Sequence, residues 1–163
     1  MKYLVLIGRI FFSFMFVYSG IGHFSQQAVG YAESAGVPFP TIAVPLSGVL
    51  IILGGLSIAF GFQARLGAWF IIIFLVPVTL FMHNFWAITD PAAAQMQFVN
   101  FEKNLVMLGG ALLIAYFGAG PLSFDSRTEV QFRKAQKPFE RVKTIRTNRP
   151  EEKVTSRSKE KVR

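Results

Sequence analysis

The run IAVPLSGVLIILGGLSIAFGF, residues 42–62, carries no charged side chain over 21 positions. At a rise of about 1.5 Å per residue, a helix of that length crosses a hydrocarbon core of about 30 Å. Three further apolar stretches of similar length accompany it, at about 3–22, 65–83 and 98–118. The last is the poorest, because its strictly apolar part begins at Leu105 and it must use Asn100, Lys103 and Asn104 in its outer turns to reach across. With 163 residues, 52% of them hydrophobic, the chain has room for one four-helix domain and no separate soluble domain. The predicted fold is therefore all-α. An integral membrane four-helix bundle fills residues 1–120, and a basic tail with a short cytoplasmic helix fills 121–163, disordered from about 143.

The first stretch starts with a single Lys2 and is longer than a signal-peptide core. Ser19-Gly20-Ile21-Gly22 is followed by His23-Phe24 rather than a small-x-small cleavage site, so a retained span is expected. Orientation follows from charge. From Pro121 onward the tail holds 13 of the 17 Lys and Arg and 6 of the 9 Asp and Glu, a net +7 of the chain's +8. Positive-inside reasoning places both termini and the Gln63-Ala64-Arg65 turn in the cytoplasm. Within the tail, Ser126 and Glu129 have the spacing of a capping box, after which Val130, Phe132 and Arg133 open a short basic helix that stops before Pro138. Beyond Lys143 almost nothing can be buried. A cationic segment beside a span is drawn to anionic headgroups by about 1 kcal/mol per basic residue. The lipid bilayer is thus the expected partner, and nucleic acid is not.

Cysteine is absent, which excludes disulfides, thiolate metal sites and thiol exchange by this chain. No phosphate-binding glycine loop, nucleophile elbow or paired-carboxylate arrangement appears, so no catalytic residue is assigned. What remains is a set of polar groups inside apolar helices. Arg9, Ser13, Gly20 and His23 fall within a stripe of about 80° on the first helix, which turns them toward the other helices. A charge at the depth of Arg9 costs a few kcal/mol unless paired. Asp125, just past the fourth span at the same face, is the expected partner in a structural ion pair.

The opposite face is denser. His83-Asn84-Phe85-Trp86 ends the third span, and Asp90-Pro91 makes a helix start, with Asp90 as cap and Pro91 in the first turn. Along the helix that follows, Asn100, Lys103, Asn104 and Met107 share a stripe of about 100°, while Glu102 points away. His23, His83, Asn84, Trp86, Lys103 and Asn104 thus arrive near one interface as a candidate ligand-binding set. Two histidines on different helices suggest bis-histidine haem, but interfacial hydrogen bonding is the commoner use of such residues. Without Cys or a convergent carboxylate they also fall short of a metal ligand set. Small residues mark the packing, with Gly54-Gly55, Ser57, Ala59 and Gly61 on the second span and Gly109-Gly110 and Ala111 on the fourth. Pro77 interrupts the hydrogen bonding of the third span, and Ser25 to Gly36 reads as a short interfacial helix.

An ordered series of these pieces resembles the DoxX family of bacterial membrane proteins. It comprises Gly8-Arg9, Ser19-Gly20-Ile21-Gly22, Ala35-Gly36-Val37-Pro38, Leu53-Gly54-Gly55, Gly61, His83-Asn84-Phe85-Trp86, Asp90-Pro91, Lys103-Asn104, Gly109-Gly110 and Gly120-Pro121-Leu122-Ser123-Phe124-Asp125. The resemblance covers about residues 5–125 and implies a four-span bundle in the bacterial cytoplasmic membrane. Some such proteins are associated with quinone-linked sulfur oxidation or membrane oxidoreductase complexes. Two departures stand out, Ile51 where the family often has Glu and His23 where it often has Lys, so the resemblance brings no proton relay with it. Two function classes follow. One is an accessory subunit of a quinone-linked redox system, not a self-sufficient enzyme, with quinone as the only cofactor in view and a membrane or cytoplasmic redox protein as partner. The other is a non-catalytic adaptor or small-molecule transporter, with self-association into a homo-oligomer open to either.

Overall fold

In the computed structural model, which describes residues 1–128 and Gln131, the chain forms five α-helices. They are α1 (Lys2–Gly22), α2 (Gln26–Ser34), α3 (Pro40–Phe60), α4 (Ala64–Met82) and α5 (Pro91–Phe117), with a single 3₁₀ turn at Phe85–Ala87. The four long helices are each apolar and long enough to cross a membrane. Large apolar side chains such as Leu4, Phe11, Phe14, Leu46, Leu53, Ile73 and Leu113 are more than half exposed around the bundle. Water would not tolerate so continuous an apolar surface, and lipid does. The small α2 lies where an interfacial helix was expected. Ser25 caps it by accepting a hydrogen bond from the Ala28 N–H at 3.2 Å.

Each long helix packs on the next in the chain, α1 on α3, α3 on α4 and α4 on α5. The core between them comprises Phe16, Ile51, Ile58, Ala68, Ile71, Ile72, Leu75 and Ala111. In lipid, association depends on close van der Waals fit, and glycine supplies it at two crossings. A Cβ on Gly48 would stand 2.9 Å from the Gly20 carbonyl oxygen, and one on Gly54 would stand 2.8 Å from that of Gly67. Gly54 and Gly55, adjacent in sequence, therefore serve different neighbours. Gly54 meets α4, whereas Gly55 lies against Ser13 and Val17 of α1. On α5 only Gly110 is in contact, beneath the Phe12 ring, while Gly109 faces open space.

The end of the bundle that holds the N-terminus, the α3–α4 turn and the C-terminus of α5 is closed by hydrogen bonds to the backbone. Gly61, in the left-handed region at φ 66°, ends α3: its N–H donates to the Ile58 carbonyl and that of Phe62 to Ser57. Arg9, 5% exposed, donates from Nε to the Ala59 carbonyl at 3.2 Å, from Nη1 to Ala119 at 2.7 Å and from Nη2 to Leu122 at 2.9 Å. Asp125 accepts from the N–H groups of Gln63 at 2.8 Å and Ala64 at 3.0 Å, capping an α4 whose own N-cap residue supplies no side-chain bond. The expected Arg9–Asp125 ion pair is thus replaced by two backbone clamps. Helix ends away from water offer unsatisfied carbonyls to a guanidinium and unsatisfied N–H groups to a carboxylate.

Asp125 is held in place by a helical turn over residues 124–128. Its cap is Ser123, not Ser126: the Ser126 N–H donates to Ser123 Oγ at 3.1 Å, and Ser126 Oγ accepts from the Ser123 N–H at 3.3 Å. The capping residue thus lies one turn earlier than the Ser126–Glu129 spacing suggested. Glu129, and the basic helix and disordered tail expected from Val130 to Arg163, lie outside the described residues.

Two stability measurements in mild detergent test this account. Gly48→Val should cost about 1–3 kcal/mol through overpacking at the α1–α3 crossing, whereas Gly109→Ala should leave the melting temperature equal or slightly higher. Arg9→Lys should cost about 1.5–3 kcal/mol, the worth of a charge-assisted hydrogen bond, because an ammonium cannot reproduce the planar fork. Full stability in Arg9→Lys would show that charge alone suffices there.

Candidate functional site

At the other end, where α1 runs into α2 and α4 into α5, the helices separate around a partly open cavity of about 660 Å³. That size lies within the range of small-molecule sites. All five helices line it: Met15, Phe16 and Ser19 from α1, Tyr31 and Ala32 from α2, Val44, Ser47 and Leu50 from α3, Phe74, Pro77 and Val78 from α4, and Asn104 and Met107 from α5. His23 and His83 join the lining just past the ends of α1 and α4. Nearly all of this surface is apolar, so its few polar groups decide what it can hold.

His23 is half-buried, its Nδ1 2.8 Å from Ser47 Oγ, and the Ser47 hydroxyl donates to the Val44 carbonyl at 2.7 Å. Burial pushes the His23 imidazole below the ordinary histidine value, and a backbone hydrogen bond with Val44 acts in the opposite sense. His83 Nδ1 lies 2.7 Å from Gln97 Oε1, and Gln97 Nε2 donates to the Tyr31 hydroxyl at 3.0 Å. This chain links α2, α4 and α5 across the cavity mouth.

Asn104 differs from both. It is 8% exposed, it stands at the middle of the 27-residue α5, and among the described residues its side-chain amide makes no hydrogen bond. Among the described residues the fully buried side-chain polar atom without a partner is Ser13 Oγ, so the Asn104 amide is not sealed in but reaches the partly open cavity that it lines.

Of the six residues expected to meet here, the cavity brings together His23, His83 and Asn104. Asn84, Trp86 and Lys103 do not line it. Trp86 is exposed and belongs to an aromatic cluster outside the cavity, with its ring 5.1 Å from Phe85 and 6.1 Å from Phe101. Asn84 is the residue just before the 3₁₀ turn. Lys103 is exposed, because a helix this lightly buried presents a face too narrow for both members of the Lys103-Asn104 pair.

Ser47, Gln97 and Tyr31 were missed as site residues. Gln97 had a signal in the sequence, since it lies seven residues before Asn104 and so extends the same polar stripe by two turns. Ser47 had none, being one small hydroxyl in a long apolar run. Among the described residues, no group of three His, Cys, Asp or Glu side chains converges to hold a metal ion.

The DoxX family model matches residues 4–84, which takes in nearly all of α1, then α2 to α4 and both histidines. The inner membrane protein YqjF of Escherichia coli (strain K12) is 37% identical over 124 residues, 74% of this chain and 88% of that protein. The inner membrane protein YphA of the same organism is 30% identical over 126 residues, 76% of this chain and 89% of that one. No solved structure matches. With a family model matched over residues 4–84 and identities of this order over most of both relatives, the chain belongs to the DoxX family.

Proposed function

We propose that this chain is an inner-membrane protein that binds an amphipathic small molecule in the cavity, as an accessory subunit of a quinone-linked redox system. One observation carries the reading. An apolar cavity within the size range of small-molecule sites is lined by Asn104, 8% exposed, whose side-chain amide has no hydrogen-bond partner among the described residues. A polar group retained in hydrocarbon serves either packing or a ligand, and Asn104 has no packing partner for its hydrogen-bonding atoms. His23 and His83 stand nearer the mouth, where they orient the polar end of a ligand whose apolar part occupies the rest. The inner-membrane location rests on the four apolar spans together with the printed names of the two relatives. The adaptor or transporter reading is the outcome if the cavity takes no ligand.

The charge distribution supports an orientation with both termini cytoplasmic and the cavity mouth on the periplasmic side. A reporter active only in the periplasm should be silent when fused after Arg163 and active when inserted in the 83–90 connection. The reverse pattern would invert the protein and move the mouth to the cytoplasm.

Binding of a short-chain quinone analogue to the detergent-purified chain should weaken about tenfold, or about 1.4 kcal/mol, in Asn104→Leu. Thermal stability should be equal or higher, since an unpartnered amide is removed. Lys103→Ala, one residue away but outside the cavity, should bind as the parent does. Unchanged affinity in Asn104→Leu would remove the cavity from the account.

A further inference from the structure

We infer that the cavity selects ligands that donate a hydrogen bond, so that an amphipathic phenol or alcohol binds better than the ether or ketone of the same size, and a quinol better than its quinone. This rests on the reading of the cavity as a ligand site and adds a polarity to it. The argument is one of hydrogen bookkeeping. A carbonyl can only accept, so the single hydrogen of the Ser47 hydroxyl goes to Val44. The 2.8 Å contact between Ser47 and His23 then requires a hydrogen on Nδ1, which leaves Nε2 of the neutral ring as a lone-pair acceptor. With Gln97 oriented to place its amide oxygen 2.7 Å from His83 Nδ1 and its nitrogen toward the Tyr31 hydroxyl, His83 adopts the same tautomer.

Two imidazoles from different helix ends thus line one cavity, each with Nδ1 committed to the protein and, among the described residues, no partner on Nε2. Asn104 adds both a donor and an acceptor deeper in. A hydroxyl answers this set, because its oxygen accepts from the Asn104 amide while its hydrogen goes to an imidazole. A ketone or ether oxygen accepts equally well and leaves both imidazole lone pairs unmet in an apolar surround. Such unpaired groups are what allow a polar site to discriminate strongly between isosteres.

The test compares 4-nonylphenol with its methyl ether, 4-nonylanisole, on the full chain in mild detergent, with binding measured in excess of partition into protein-free micelles. The phenol should bind about tenfold tighter or more. His23→Leu and His83→Leu should each reduce that ratio by lowering phenol affinity while leaving ether affinity close to that of the parent. Equal affinity of the two probes for the parent protein, or tighter binding of the ether, overturns the inference while leaving the cavity a ligand site. Failure of both probes to bind removes the cavity reading and this inference together. Should either histidine variant fail to fold, the ratio on the parent chain decides alone.

Discussion

A helix end leaves several carbonyls or N–H groups without an intrahelical partner. The α3–α4 turn of this protein has both kinds within a few residues, and two charged side chains from distant parts of the chain meet them. Arg9 takes a carbonyl at the end of α3 and two more beyond α5, while Asp125 takes the first N–H groups of α4. Ser57 adds a further bond, its hydroxyl donating to the Phe62 carbonyl at 2.6 Å. Neither charge is neutralised by contact with the other. Each is hydrogen-bonded by backbone groups, and the nearby opposite charge acts on it without direct contact.

The rest of the bundle depends on that closure. With three helix ends fixed, the glycine crossings at Gly20–Gly48 and Gly54–Gly67 hold the long helices at backbone distance along their lengths. The other end does not need to be tightly packed, and it is there that the helices stand apart around the cavity. The polar groups at that end are arranged largely by side chains, Ser47 for His23 and the Gln97–Tyr31 pair for His83.

The spans were legible because lipid selects on few properties, namely length, apolarity and the position of charge. The starts of α2 and α5 were legible for a different reason: Ser25 and the Asp90-Pro91 pair cap their helices with their own side chains, a purely local device. Arg9 and Asp125 were legible as interior charges but not in their partners. Those partners are backbone atoms, placed by left-handed residues such as Gly61 and Leu122 at chain reversals that composition does not reveal. The candidate site was half legible for a similar reason. Polar stripes on a helix are about as wide as the step between Lys103 and Asn104, so which of the two enters the bundle depends on how α4 and α5 are rotated against each other.

The three carbonyls that hold Arg9 are not available together until late in synthesis. Ala59 follows it by 50 residues, but Ala119 and Leu122 follow by 110 and 113. Each long helix can dock on its predecessor as it leaves the insertion machinery, yet the guanidinium in the first one stays incompletely solvated until the fourth has entered and the chain has turned. A truncated or mis-inserted chain therefore displays a buried cation with nowhere to go, the kind of lesion that membrane quality control recognises, and the finished protein differs from it by the last two of those hydrogen bonds.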